Sequence, residues 1–213
     1  MRKRRKSRIG RRAPTRQPKI RFTLFCEGRN TEPQYFRALR SHYNNSLISI
    51  RIENTGRVPI TLARTALDFV VTATRKGKRK NLFEEHDQVW IVVDRDEHER
   101  FDEAVKLCET NGISVARSNP CFEVWLILHM VDYDRQDASK RVKRIFHAKL
   151  SEHGLSGKPI FEKLMTMIED AEERADILKW RRGKEGQLHG CPSTTVGELT
   201  RAIRNAGIGN NAA

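Results

Sequence analysis

Two apolar runs in this chain each end directly in acidic residues. Ile20-Arg-Phe-Thr-Leu-Phe-Cys26 is followed by Glu27-Gly28, and Val89-Trp-Ile-Val-Val93 by Asp94-Arg95-Asp96. Open parallel sheets bind ligands beyond the carboxyl ends of their strands, so acids at those ends are the first place to look for chemistry. A spacing of two puts Asp94 and Asp96 on one face of extended chain, close enough to share a cation. Hard divalent ions such as Mg²⁺ take a few carboxylates together with water and phosphate oxygens, and Glu27, Asp94 and Asp96 have that character. The plain alternative is that Asp94 and Asp96 only begin a turn, as Asp often does. The apolar strand before them and Glu27 at the end of a second strand favour the site.

Glu123 is evidence of another kind. It stands in Asn-Pro-Cys-Phe-Glu-Val-Trp-Leu-Ile-Leu-His, apolar on almost every side, where an ionised carboxylate is costly without a cation or basic partner. A metal ion or an arginine such as Arg117 would supply one, and a structural ion pair is an equally good account. His98 continues the alternation of Asp94 and Asp96 and is expected as a solvated loop residue. Cys121, Phe122, Trp125 and Leu126 read as core.

The elements that must position these residues follow from periodicity. A strand over 20–26 leads to Thr31 as N-cap, Pro33 in the first turn and a helix over 34–43 with Tyr35, Phe36, Leu39 and Tyr43 at helical spacing. A second strand over 47–52 and a helix over 59–71 come next, then a basic loop over 75–80. Residues 89–93 form a continuous apolar run, the mark of a strand covered on both faces. A helix over 101–109 stops at Asn111-Gly112, and 113–116 makes a fourth strand. Beyond Ser118 only helices are expected, over 120–131, 139–150 (basic and amphipathic), 159–180 and 192–205, with a frayed end over 207–213. Strands alternating with helices imply an α/β fold with a parallel sheet flanked by helices. The expected organisation is a basic arm over 1–19, an α/β core over 20–135, and a helical C-terminal region over 136–213 packing on the core.

The chain has 213 residues and a formal charge of +14, from 41 Lys and Arg against 27 Asp and Glu. Eleven of the basic residues fall within 1–21, where there is no acid, so the rest of the chain is nearly balanced. Residues 1–19 lack the apolar surface needed to offset ordering entropy and are expected to be disordered. Their cations, notably Arg2, Lys3, Arg4, Arg5, Lys6, Arg8, Arg11 and Arg12, suit a polyanion such as nucleic acid. No stretch approaches the roughly 20 apolar residues of a membrane span, and no apolar segment follows the basic run as in a secretory signal; a transit peptide is also Arg-rich and acid-poor and stays open, but a cytoplasmic protein is the expectation. The four cysteines form no CxxC pair and read as buried, inert thiols. There is no GxxxxGK[ST] loop, no GxGxxG after the first strand and no GxSxG elbow, which argues against a P-loop ATPase, a dinucleotide enzyme and acyl transfer.

Four segments together resemble the RloB family, whose members carry a TOPRIM-like catalytic fold. They are Cys26-Glu-Gly-Arg-Asn-Thr-Glu32, Val92-Val-Asp-Arg-Asp96, Asn119-Pro-Cys-Phe-Glu-Val-Trp-Leu126 and Pro192-Ser-Thr-Thr-Val196, in order over nearly the whole chain. The resemblance implies a TOPRIM-like α/β core with a metal-dependent, nuclease-like site. Glu27 would serve as general acid/base or metal ligand, Asp94 and Asp96 would hold Mg²⁺ or Mn²⁺, and Glu32 and Glu123 match family positions of the site. It further implies a role in prokaryotic anti-phage defence beside an ATPase partner, with transfer RNA among the substrates of related effectors. Cys121 departs from the residues usual at its position, and no topoisomerase-type tyrosine can be placed, so strand passage is not implied.

Two functions compete at this level. One is a Mg²⁺-dependent nuclease acting on RNA or DNA; the other is a non-catalytic nucleic-acid-binding or regulatory partner of an ATPase. Arg29, Arg57, Arg95 and Arg117 are the arginines that could face a leaving oxygen. If the arm binds nucleic acid, its contribution is counterion release, so deleting residues 1–19 is expected to weaken binding at low salt and flatten the salt dependence. Titration of labelled RNA across a salt series checks this, and an unchanged slope assigns binding to the body.

Overall fold

The computed structural model describes residues 20–43, 48–54, 58–80, 87–95, 98–155, 157 and 159–208. The basic arm 1–19, Arg57, Asp96 and the end 209–213 lie outside the described residues. Strands β1 (Ile20–Cys26), β2 (Ile48–Asn54), β3 (Gln88–Asp94), β4 (Ser114–Asn119) and β5 (Ser193–Thr194) form one sheet in the order β2-β1-β3-β4-β5. The first four are parallel and β5 is antiparallel to β4. The expected α/β architecture, a mostly parallel sheet with helices on both faces, is therefore present.

Alternation along the strands decides which helices cover which face. Phe25, Val89, Ile91 and Val93 point to the face covered by α2 (Pro59–Lys80) and α3 (Phe101–Glu109), where Leu62, Ala66, Val105 and Cys108 meet them. Phe22, Leu24, Trp90, Val92 and Ala116 point to the other face. There they pack beneath α1 (Thr31–His42), α4 (Glu123–Leu128), α7 (Ile168–Lys184) and α8 (Val196–Ile208). Trp125 and Phe122 are fully enclosed there, each burial worth roughly 1.5–3 kcal/mol. Helices α5 (Ser139–Glu152) and α6 (Ile160–Leu164) complete that layer.

Several boundaries differ from the sequence expectation. The basic stretch 75–80 continues α2 as helix instead of forming a loop, because Lys and Arg are good helix formers and the single Gly77 costs only about 1 kcal/mol. Helix α1 begins at Thr31, with Asn30 before it and no side-chain cap. The helix expected over 120–131 is the shorter α4, and that over 159–180 is α6, a 3₁₀ turn over Met165–Met167 and α7. The largest correction is that strands do not end at Ser118. Strand β4 runs to Asn119 because β5 pairs with it, Ser118 opposite Thr194 and Asn119 opposite Ser193. The Ser118 and Thr194 hydroxyls lie 3.0 Å apart. Thr195 extends the tie, its N–H donating to the Arg117 carbonyl at 2.9 Å while its hydroxyl accepts from the Arg117 N–H. Among the described residues no helix is long and apolar enough to cross a membrane.

At the end of α4 a buried histidine ties that helix to α1. His129 Nδ1 lies 3.0 Å from the Trp125 carbonyl and Nε2 3.1 Å from the Tyr35 hydroxyl. A carbonyl only accepts, so Nδ1 carries the proton and Nε2 accepts from Tyr35. Burial depresses the pKa to about 4. The folded value lies below the usual 6.5 or so of the unfolded chain, so the contribution is complete above that pH. It is lost as pH falls toward 4, by up to roughly 3 kcal/mol. Urea unfolding at pH 7 and pH 4 is expected to show a smaller acid-induced loss in His129→Gln than in the parent; an equal loss would remove His129 as its source.

Candidate active site

The parallel register of β1 and β3 brings their carboxyl ends side by side, Cys26 opposite Val92. The chain leaves β1 still tied to β3, since the Glu27 N–H donates to the Val92 carbonyl at 3.0 Å. The Asp94 N–H returns a bond to Glu27 Oε2 at 3.2 Å, which fixes that carboxylate over the end of β3. Glu27 Oε1 faces His98 Nε2 at 3.4 Å. His98, expected as a solvated loop residue, is thus a neighbour of the acid.

Glu32 enters from the first turn of α1. It is buried and its Oε1 accepts from the Gly28 N–H at 3.1 Å. A Cβ built on Gly28 would overlap the Glu32 carboxylate, so a larger residue there would displace that carboxylate from its present position. Glu123 is the first residue of α4, at the rim of the apolar segment and not inside it. With Asp94 these side chains line a cavity of about 300 Å³, whose wall also includes Phe122 and the cations Arg29 and Lys143.

Four carboxylates around one cavity repel one another, and the titration of the innermost shows it. The Asp94 carboxyl is held well above the usual carboxylate range, first by burial and then by Glu32, Glu27 and Glu123, with the Phe122 N–H offsetting part of the rise. Its Oδ1 is shut off from solvent and has no hydrogen-bond partner. The Glu32 carboxyl is likewise raised, chiefly by burial, and Lys143 opposes this. Buried polar oxygens are nearly always satisfied, so an open carboxylate oxygen among other carboxylates is a donor set of the kind a hard cation takes. Among the described residues no three or more His, Cys, Asp or Glu side chains form a preassembled metal cluster; Asp96, the third expected ligand, lies outside them. The neighbouring thiols are not reactive groups: Cys26 and Cys121 are buried, and burial followed by Glu32 and Glu123 respectively pushes both upward.

Of the sequence-expected residues, Glu27, Glu32, Asp94 and Glu123 converge on this cavity. Arg117 does not accompany Glu123. It points to the opposite face of the sheet, where its Nη2 lies 2.6 Å from His189 Nε2, because Ser118 and Asp94 take the near face of β3 and β4. Arg95 turns to Asp102 at 3.8 Å and to the Phe101 ring. Arg57 and the arm residues Arg2, Lys3, Arg4, Arg5, Lys6, Arg8, Arg11 and Arg12 lie outside the described residues, which leaves Arg29 as the expected arginine at the cavity. Lys143 was visible in sequence only as part of a basic helix; nothing local tied it to residues more than a hundred positions earlier.

These carboxylates cost stability that removal should return. A raised folded pKa is favourable below the unfolded value and becomes a penalty as pH rises past it, so Asp94→Asn in metal-free buffer is expected to raise Tm by about a few degrees at pH 7.5. The gain should shrink toward pH 4, where Asp94 takes up its proton anyway. Thermal melts at the two pH values decide it, and a variant less stable at pH 7.5 than the parent would count against like-charge crowding.

No curated protein and no solved structure matches the chain. The family model described as RloB-like protein matches residues 22–203, a span that takes in all four carboxylates of the cavity, and the chain belongs to the RloB-like protein family.

Proposed function

We propose that the protein is a divalent-cation-dependent nuclease, hydrolysing phosphodiester bonds of RNA or DNA at the cavity beyond β1 and β3. The observation that carries this reading is the buried, unpartnered Asp94 Oδ1 facing Glu27, Glu32 and Glu123. Asp94 and Glu27, with Asp96 beside them in sequence, are the residues that would hold Mg²⁺ or Mn²⁺. When bound, the ion supplies positive charge to a non-bridging phosphate oxygen and makes a water acidic enough to act as nucleophile.

The chain's own groups account for the rest. Glu27, oriented by the Asp94 N–H, accepts the proton of the attacking water through the oxygen that faces His98. His98 is placed to exchange that proton with solvent. Arg29 and Lys143 border the cavity and supply the cations a departing oxygen requires. Phe122 adds an apolar surface to the cavity wall, which lowers the local polarity around these interactions. The family resemblance carries the biological setting, anti-phage defence in the cytoplasm with an ATPase partner; the TOPRIM likeness rests on the same motifs.

The test is incubation of the purified protein with labelled transfer RNA, single-stranded RNA and duplex DNA, in Mg²⁺, in Mn²⁺ and in EDTA. Products are expected with either ion and not in EDTA, and Asp94→Ala and Glu27→Ala should each reduce them by about 100-fold or more while circular dichroism stays that of the parent. Retardation of a substrate on a gel with no products under any condition would make the protein a binding partner and end this reading.

A further inference from the structure

Helix α5 presents a row of basic residues outside its packed face. Val142, Phe146 and Leu150 form its buried face. Lys140, Lys143, Arg144 and His147 recur at helical spacing, and all four are exposed. Two further cations of the helix sit in ion pairs: Arg141 with Asp137 at 3.0 Å and Lys149 with Glu152 at 2.6 Å. Glu152 is the helix's own single acid and belongs to Lys149, so none falls on the stripe. A merely solvated helix face is normally laced with opposite charges, since like charges at these spacings destabilise a helix. Lys143 is set against Glu32, while Lys140 and Arg144 are exposed with no acid of the helix on their stripe, an arrangement that suits an anion.

Its position says which. Lys143 lies at the border of the stripe and the buried face and lines the carboxylate cavity. We propose that this face of α5 is the surface on which the phosphate backbone of a nucleic-acid strand lies as it leaves the cavity, with Lys140, Lys143 and Arg144 meeting successive phosphates and His147 at the far end. A phosphate approaching four carboxylates is repelled, and basic residues on either side of Lys143 at the rim offset that repulsion. The surface rests on the proposed function only for the identity of its ligand.

Binding of a labelled single-stranded RNA to the full chain, measured by anisotropy in EDTA across a salt series, tests it without requiring cleavage. Lys140→Gln combined with Arg144→Gln spares the cavity and is expected to weaken binding roughly tenfold at low salt. The same variant should lower the salt slope by about 1.4, at about 0.7 for each lost phosphate contact. Arg141→Gln combined with Lys149→Gln removes the same charge from the paired positions and should leave the slope near that of the parent. Equal slopes for the two double variants, or a stripe variant that binds RNA like the parent but loses polyglutamate, would overturn the proposal. A protein that never cuts RNA but shows the stripe-specific slope change would refute the nuclease reading and leave this surface standing.

Discussion

The Asp94 N–H donates to Glu27, and the Glu27 N–H donates to the Val92 carbonyl, so the ends of β1 and β3 are clasped by two bonds running in opposite directions. Every other feature of the cavity depends on this clasp. It holds one glutamate over the sheet where solvent is thin, and it forces the Asp94 carboxyl into the company of Glu27, Glu32 and Glu123. A core built only for stability would not gather four acids there, because each additional charge raises the cost of the others. The cost is tolerated because the parallel sheet and its two covering layers over-determine the strand ends.

The supports are unequal in kind. Glu32 is held by the Gly28 N–H, and glycine at that position leaves room for its carboxylate. Glu123 is held by the burial of the residues C-terminal to it, since Trp125, Leu126 and Leu128 leave α4 no freedom to turn its first residue elsewhere. On the far edge, β5 and Thr195 lock β4, which keeps Arg117 on the opposite face with His189. Arg117 and the carboxylates are therefore separated by the sheet itself. The positive charge that borders the cavity comes from Arg29 in the loop after β1 and from Lys143 on α5.

The formal charge of +14 thus describes three distinct environments, a basic arm in sequence, an acidic cavity and a basic helix beside it. The relation between the last two bears on how a polyanion would be received at the cavity. An acidic cavity without a basic border would repel a nucleic acid, and a basic helix without the cavity would bind it indifferently.

Local pattern determined a good deal: the apolar runs of β1 and β3, the alternation of strand and helix, and Glu27, Asp94 and Glu123 as acids at the ends of apolar runs or in an apolar segment; Glu32 came only with the family resemblance. Such features are legible because they repeat at the period of one element or stand next to its end. Tertiary structure decided the features that depend on partners distant in sequence. A two-residue strand such as β5 has no period and exists only because Ser118 and Asn119 lie open at the sheet edge. The side of the sheet that Arg117 faces is set by the register of β4 on β3. His98 approaches Glu27 because β3 leaves the sheet beside the end of β1. Lys143 reaches acids over a hundred residues away because α5 packs on α4. A charge is visible in sequence wherever it occurs, but its partner is chosen by packing, and packing is a property of the whole chain.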